Sequence, residues 1–160
     1  MSVEKVREYL KQWGREQDIL EFPVSSATVD LAAQALQVIP ARIAKTLSFQ
    51  GKKRCILIVA AGDARVDSRK FKGRFSLKAK MLAPEEVLDK TGHAVGGVCP
   101  FALNEDEVEV YTDISLKRFE TIFPACGSSN SAIELDCGEL FAYSQSLEWV
   151  DVCKDWQEVS

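Results

Sequence analysis

The chain has 160 residues, 46% of them apolar and 28% charged, with a formal net charge of −4. Those totals fit one folded domain with a real core and exclude disorder. No apolar run approaches the ~20 residues of a membrane span, and five scattered cysteines with a single histidine, His93, exclude a disulfide framework and offer no zinc-ligand spacing.

Val3, Val6, Leu10 and Trp13 recur at helical spacing after Ser2, and Gly14 closes that helix. Thr28 is placed to cap a second helix through Leu31, Ala32, Ala35 and Leu36, and Pro40 opens a third helical turn. The stretch 43–49 reads as extended and 54–61 as a buried strand. Pro84-Glu85-Glu86 starts another helix that ends at Gly92. Val108, Val110 and Thr112 alternate with Glu107, Glu109 and Tyr111 as a half-buried strand, and residues 132–135 suggest another. Asp136 and Glu139 form a capping-box pattern ahead of Leu140 and Phe141. Helices and strands mix without a βαβ rhythm, which predicts an α+β fold built on one mixed sheet partly wrapped by helices. No linker or repeat interrupts residues 1–160, so a single domain is expected. The Met1-Ser2-Val3-Glu4-Lys5 start lacks the apolar stretch of a signal peptide, and a cytoplasmic location is expected.

Charge is unevenly distributed. Arg65, Arg69, Lys70, Lys72, Arg74, Lys78 and Lys80 face only Asp67 between residues 65 and 80, whereas acids dominate from Glu105 onward. Such a stretch can serve as a phosphate-binding face inside an acidic protein, and it can equally be a solvated surface.

Three features could carry chemistry. In an extended 43–49, Lys45 shares the more apolar side with Ile43, Leu47 and Phe49. An ammonium there needs a partner or a task, unless its stem is packed and its head reaches water. Gly92-His93-Ala94-Val95-Gly96-Gly97-Val98-Cys99-Pro100 has adjacent glycines that let main chain approach a ligand and aim N–H groups at an oxyanion, or that simply make a tight turn. Ala125-Cys126-Gly127-Ser128-Ser129-Asn130-Ser131 could form an anion-binding nest or a plain turn. Cys99 and His93 could also meet as thiol and base, although no cysteine-protease signature surrounds them.

Taken in order, these stretches resemble the YbaK/prolyl-tRNA-synthetase-associated editing domain family, from Ser26 to about Val152. The resemblance rests on Thr28 through Leu36, Arg42-Ile43-Ala44-Lys45-Thr46-Leu47, Ala64-Arg65-Val66-Asp67 and Thr91-Gly92-His93. It continues through Gly96-Gly97-Val98-Cys99-Pro100-Phe101, Val110-Tyr111-Thr112-Asp113, and Gly127-Ser128-Ser129 before Ile133-Glu134-Leu135. It implies a partly barrel-like sheet and the hydrolysis, in trans, of the ester linking a wrong amino acid to tRNA. Lys45, Gly96 and Gly97 are the catalytic candidates that follow, Lys45 acting electrostatically and the glycine loop through its N–H groups. Substrate contacts are expected from Thr28, Thr46, His93, Val98, Cys99, Pro100, Asp113, Gly127, Ser128 and Ser129. Arg65, Arg69, Lys70 and Lys72 would meet the tRNA backbone. Many relatives carry serine where this chain has Cys99. The partners implied are the aminoacyl-tRNA acceptor end and an aminoacyl-tRNA synthetase, with no metal, no cofactor and no membrane. Two other functions fit the same residues: a non-catalytic module that binds an aminoacyl-adenylate, nucleotide or tRNA end, and a thiol hydrolase using Cys99.

Overall fold

A computed structural model describes residues 2–23 and 28–156 of the chain. Cys55–Ala61 (β3) is the central strand, and every residue in it is buried. Continuous burial requires cover on both faces, which the apolar run in this stretch anticipates. Each fully buried Leu57, Ile58 or Val59 contributes ~1.5–3 kcal/mol.

Ile43–Phe49 (β2) pairs antiparallel with β3, Lys45 opposite Ala60 and Thr46 opposite Val59. Val108–Asp113 (β5) lies parallel on the other side of β3, and Glu148–Val150 (β8) lies parallel to β5. Phe123–Pro124 (β6) runs parallel to the start of β2 and completes a five-stranded mixed sheet in the order β6-β2-β3-β5-β8. Bridges from Ile122 to Leu135 and from Ala125 to Ala132 carry the β6 edge on towards Ser131–Ala132 (β7), which pairs with Leu20–Glu21 (β1). Arg65–Val66 (β4) pairs with Cys153–Lys154 (β9) near the opposite end. Among the described residues the ladders form one five-stranded sheet and two separate two-stranded sheets, and none closes a barrel.

Helices form where their end signals lie. Ser2–Leu10 (α1) runs into a 3₁₀ turn closed by Gly14 at φ 69°. Val29–Leu36 (α2) is capped by the Thr28 hydroxyl, which accepts from the Leu31 N–H at 3.1 Å. Ser68–Phe75 (α3) is capped by Asp67, and Pro84–Thr91 (α4) starts on its proline and ends at a left-handed Gly92. Cys137–Tyr143 (α5) carries the reciprocal Asp136–Glu139 capping box. Pro40 opens only a short 3₁₀ turn, Pro40–Arg42.

Strand β5 departs from its expected half-buried form. Tyr111 is buried because α3 covers that face, packing Phe75 edge-on against its ring at 4.9 Å. The alternation records polarity, while a helix arriving from elsewhere decides exposure.

Candidate functional site

The outer edge of β2 opens on a cavity of about 360 Å³. Its floor comes from residues 43–48 of β2, and its walls from α2 with Thr28, the segment 81–87, the glycine loop and the strand ends around Phe123, Ala125 and Ser131. The lining is mostly apolar: Val29, Leu47, Leu82, Val87, Val95 and Phe123 surround a few polar groups, among them Lys45, Thr46 and Ser131. Such a cavity suits a small, partly apolar ligand fixed by a few polar contacts.

Lys45 is the cation on that floor. Strand parity sets it on the face that also carries Leu47 and Phe49, half-buried, with Nζ donating to the Gly62 carbonyl oxygen at 3.2 Å. Gly62 must be glycine, since a Cβ there would lie 2.1 Å from the Pro40 carbonyl oxygen. Burial pushes the Lys45 ammonium below the usual lysine range; the Cys153 thiol and Asp63 oppose the shift, and Arg65 adds to it. Asp63 is itself held by a two-pronged ion pair with Arg118, at 2.6 and 3.0 Å. A poorly hydrated cation with one neutral acceptor retains strong attraction for an incoming anion.

The glycine loop and the serine loop meet. Gly97 is buried so closely against the second loop that a Cβ would stand 2.9 Å from the main-chain atoms of Gly127 and from Ser128 Cα. Gly96, with φ 100°, and Val98 line the cavity. Gly97 does not line it, and its N–H donates to the Ala94 carbonyl at 2.9 Å. Gly96 and Val98 are therefore the residues that the tip of this loop gives to the cavity wall, while Gly97 packs against the serine loop.

Other expected contacts also lie elsewhere. Asp113 is fully buried, its carboxylate accepting from the Ser115 and Val152 N–H groups at 2.9 Å each, so it ties β5 to the chain before β9. Pro100, Gly127, Ser128 and Ser129 stand outside the cavity lining, and the Ser128 hydroxyl donates to Ser131 Oγ at 2.7 Å. His93 and Cys99 lie beneath the loop, both wholly buried, with Cys99 Sγ 3.5 Å from His93 Nε2 and that nitrogen 2.9 Å from the Phe101 carbonyl. Burial pushes the Cys99 thiol up to about 12 and the His93 imidazole down, so the pair is neutral thiol and neutral base. That is the reverse of an activated cysteine. Among the described residues no three His, Cys, Asp or Glu side chains gather as a metal site.

Of the basic stretch, Arg65, Arg69 and Lys72 are exposed. Lys70 is not available: it pairs with Asp151 at 2.9 Å and donates to the Cys153 carbonyl at 3.0 Å. Arg74, one turn on, pairs with Glu148. The helix thus turns Lys70 and Arg74 towards the acidic rim of β8 and leaves Arg69 and Lys72 towards solvent. Sequence reasoning missed Leu47, Met81, Leu82, Val87, Val95 and Ser131 as lining residues. Met81 and Val95 are 58% and 63% exposed, and apolar residues that exposed are a signal visible only in the fold.

Comparison with known proteins gives a consistent result. The model of the aminoacyl-tRNA editing domain matches residues 24–142. An uncharacterized protein, YwhH, of Bacillus subtilis (strain 168) is 58% identical over 158 residues, covering 98% of this chain and all of that protein. Proline--tRNA ligase of Thermotoga maritima is 25% identical over 114 residues, 70% of this chain but only 20% of the ligase. The solved structure of a proposed trans-editing enzyme for prolyl tRNA synthetase superposes with a TM-score of 0.86 at 28% identity, covering 96% of this chain and 97% of that one.

Proposed function

We propose, from the premise that this chain belongs to the aminoacyl-tRNA editing domain family, that it hydrolyses the ester of mischarged tRNA in trans. The observation that carries the reading is the coincidence of Lys45, Thr46, Gly96 and Val98 on one mostly apolar cavity. An aminoacyl ester is already activated, so its hydrolysis needs a placed water and stabilisation of the tetrahedral oxyanion more than a nucleophilic side chain. The Gly96 and Val98 N–H groups serve the carbonyl oxygen. Lys45 supplies the positive charge, directed at the ester or at the phosphate of the terminal nucleotide. No triad is required, and the neutral Cys99–His93 pair plays no chemical part.

The cavity accepts the aminoacyl group, and the acceptor end of the tRNA lies across its mouth. Residues 1–160 act as one editing domain in the cytoplasm, and a synthetase partner supplies whatever tRNA identity the domain does not read. The apolar wall selects by size and shape, a mode that separates neighbours differing by one methylene by ~1–3 kcal/mol.

A deacylation screen of the purified chain against a panel of tRNAs charged with non-cognate amino acids tests the reading. Accelerated release of at least one amino acid over the uncatalysed rate supports it. Binding of the same tRNAs without release of any would leave a non-catalytic module instead.

A further inference from the structure

The outer edge of β2 is covered at both ends and open in the middle. Strand β6 pairs only with Ile43 and Ala44. At the far end Met81 bridges Phe49, the Leu82 N–H donates to the Ser48 carbonyl at 3.0 Å, and the Gln50 N–H donates to the Lys80 carbonyl at 2.8 Å. Thr46 lies between these two covers. In an antiparallel ladder the N–H and C=O of one residue point the same way, and successive residues alternate between the two edges. The Ser48 carbonyl points outward, so the main-chain groups of Thr46, two residues earlier, point outward as well. The register agrees from the other side. Cys55 and Ala61 direct their N–H groups away from β2, to the Glu107 carbonyl and to Ser115 Oγ, so Val59, of the same parity and opposite Thr46, does the same.

Among the described residues the outward N–H and C=O of Thr46 meet no partner, and Thr46 lines the cavity. Its Oγ1 is, again among the described residues, the single buried side-chain polar atom without a hydrogen bond. Main-chain N–H and C=O groups are obligatory hydrogen-bonding groups, so an unpaired pair of them on a cavity lining is a donor and an acceptor that a ligand there can complete. One residue's paired N–H and C=O is the unit by which a sheet edge recognises another main chain.

Resting on the deacylase reading, we infer that the Thr46 edge reads the α-amino acid itself through a one-residue β-bridge. The Thr46 carbonyl accepts from the substrate's free α-ammonium, and the Thr46 N–H donates to its ester carbonyl. Such a bridge is indifferent to the side chain, which leaves the sheet plane towards the apolar wall. It is sensitive to the amine. An N-acylated residue, which every peptidyl-tRNA carries, loses the ammonium and adds bulk at the strand edge. The same cavity therefore distinguishes an aminoacyl ester from a peptidyl ester.

The test uses stable amide-linked analogues on a short RNA acceptor stem, bound to the full chain and measured by calorimetry. Glycyl, N-acetylglycyl and glycolyl groups are compared, so that no side chain enters the result. The expected outcome is at least tenfold weaker binding of the N-acetyl and the glycolyl analogues. Equal binding of all three overturns the inference, and so does failure of the glycyl analogue to bind. These are binding measurements on uncleavable ligands, so their failure is distinct from a failure to deacylate.

Discussion

The Nζ of Lys45 lies 3.2 Å from the carbonyl oxygen of Gly62, a neutral acceptor that holds the ammonium on the cavity floor without cancelling its charge. Full pairing with a carboxylate would neutralise that charge inside the protein; the nearby Asp63 is instead occupied by Arg118.

Lys45→Ala is expected to lower single-turnover deacylation by ~10²–10³, about 2.7–4 kcal/mol, the usual cost of removing one preorganised charge or donor. Stability should change by no more than about 1–2 kcal/mol, the net worth of one hydrogen bond. Lys45→Arg should rescue poorly, because a planar guanidinium fits a confined site differently. The ammonium is the active form and burial lowers its pKa from 10.5. The catalysed rate, corrected for hydroxide hydrolysis, is therefore lost as pH rises through a value below that of a free lysine. Normal turnover by well-folded Lys45→Ala would remove Lys45 from the mechanism.

Cys99→Ser should keep deacylase activity within about tenfold, or ~1.4 kcal/mol of barrier. The thiol is wholly buried and, with its pKa pushed up to about 12, is not a thiolate at neutral pH. Native protein treated with an alkylating reagent should stay unlabelled at Cys99 by mass spectrometry. A thousandfold loss with a covalent adduct trapped on Cys99 would establish a thiol mechanism instead.

His93 is the chain's one histidine, and burial holds its pKa below the usual 6.5. The folded protein therefore keeps it neutral while the unfolded chain protonates below about 6.5. The unfolded state binds more protons in that window, so stability is complete above about pH 6.5 and falls as pH drops towards the lowered native value. Urea midpoints at pH 7.5 and 5.5 should differ more for wild type than for His93→Gln; equal differences would assign the pH dependence to carboxylates alone.

The legible parts of this molecule were local. The Thr28 cap, Pro84 with Gly92, and the Asp136–Glu139 box each span a few residues, and each sits at a helix end. The parity that set Lys45 beside Leu47 and Phe49 holds in β2. What could not be read depends on residues far away in the chain. Lys70 resembles its basic neighbours in sequence, and only the fold brings Asp151, 81 residues on, beside it. Asp113 reads as a pocket residue, and the N–H of Val152 explains its burial. The apolar wall gathers α2, the segment 81–87 and Phe123 at one strand edge, and no single stretch announces that.

The basic stretch divides accordingly. Neutralising Arg65, Arg69 and Lys72 together should weaken tRNA binding and flatten its dependence on salt, by ~0.9 in the log–log slope for each phosphate no longer neutralised. Folding should survive, since all three are exposed. Lys70→Gln should do the opposite: a lower melting temperature, because α3 loses its ties to Asp151 and the Cys153 carbonyl, and an unchanged slope. An unaltered slope in the triple variant would return Arg65, Arg69 and Lys72 to a purely solvated role.

Gly97→Ala tests whether the two loops form one wall. The added methyl would stand 2.9 Å from the carbonyl carbon and oxygen of Gly127 and from the Ser128 Cα. These are main-chain atoms, so no flexible side chain can yield and one loop must move. Overpacking of this kind costs typically ~1–3 kcal/mol, and a lower melting temperature is expected. The same movement displaces the Gly96 and Val98 N–H groups, and positioning at a reacting centre tolerates little: a misplacement of about 1 Å can cost ~10²-fold. Single-turnover deacylation on the folded fraction should therefore fall well beyond what unfolding explains. Gly96→Ala offers a control of different origin. Its φ of 100° strains an alanine, and the strain falls on a residue that itself lines the cavity. If Gly97→Ala unfolds more easily yet turns over at the wild-type rate when folded, then Gly97 serves stability alone and the two loops do not jointly position the oxyanion donors.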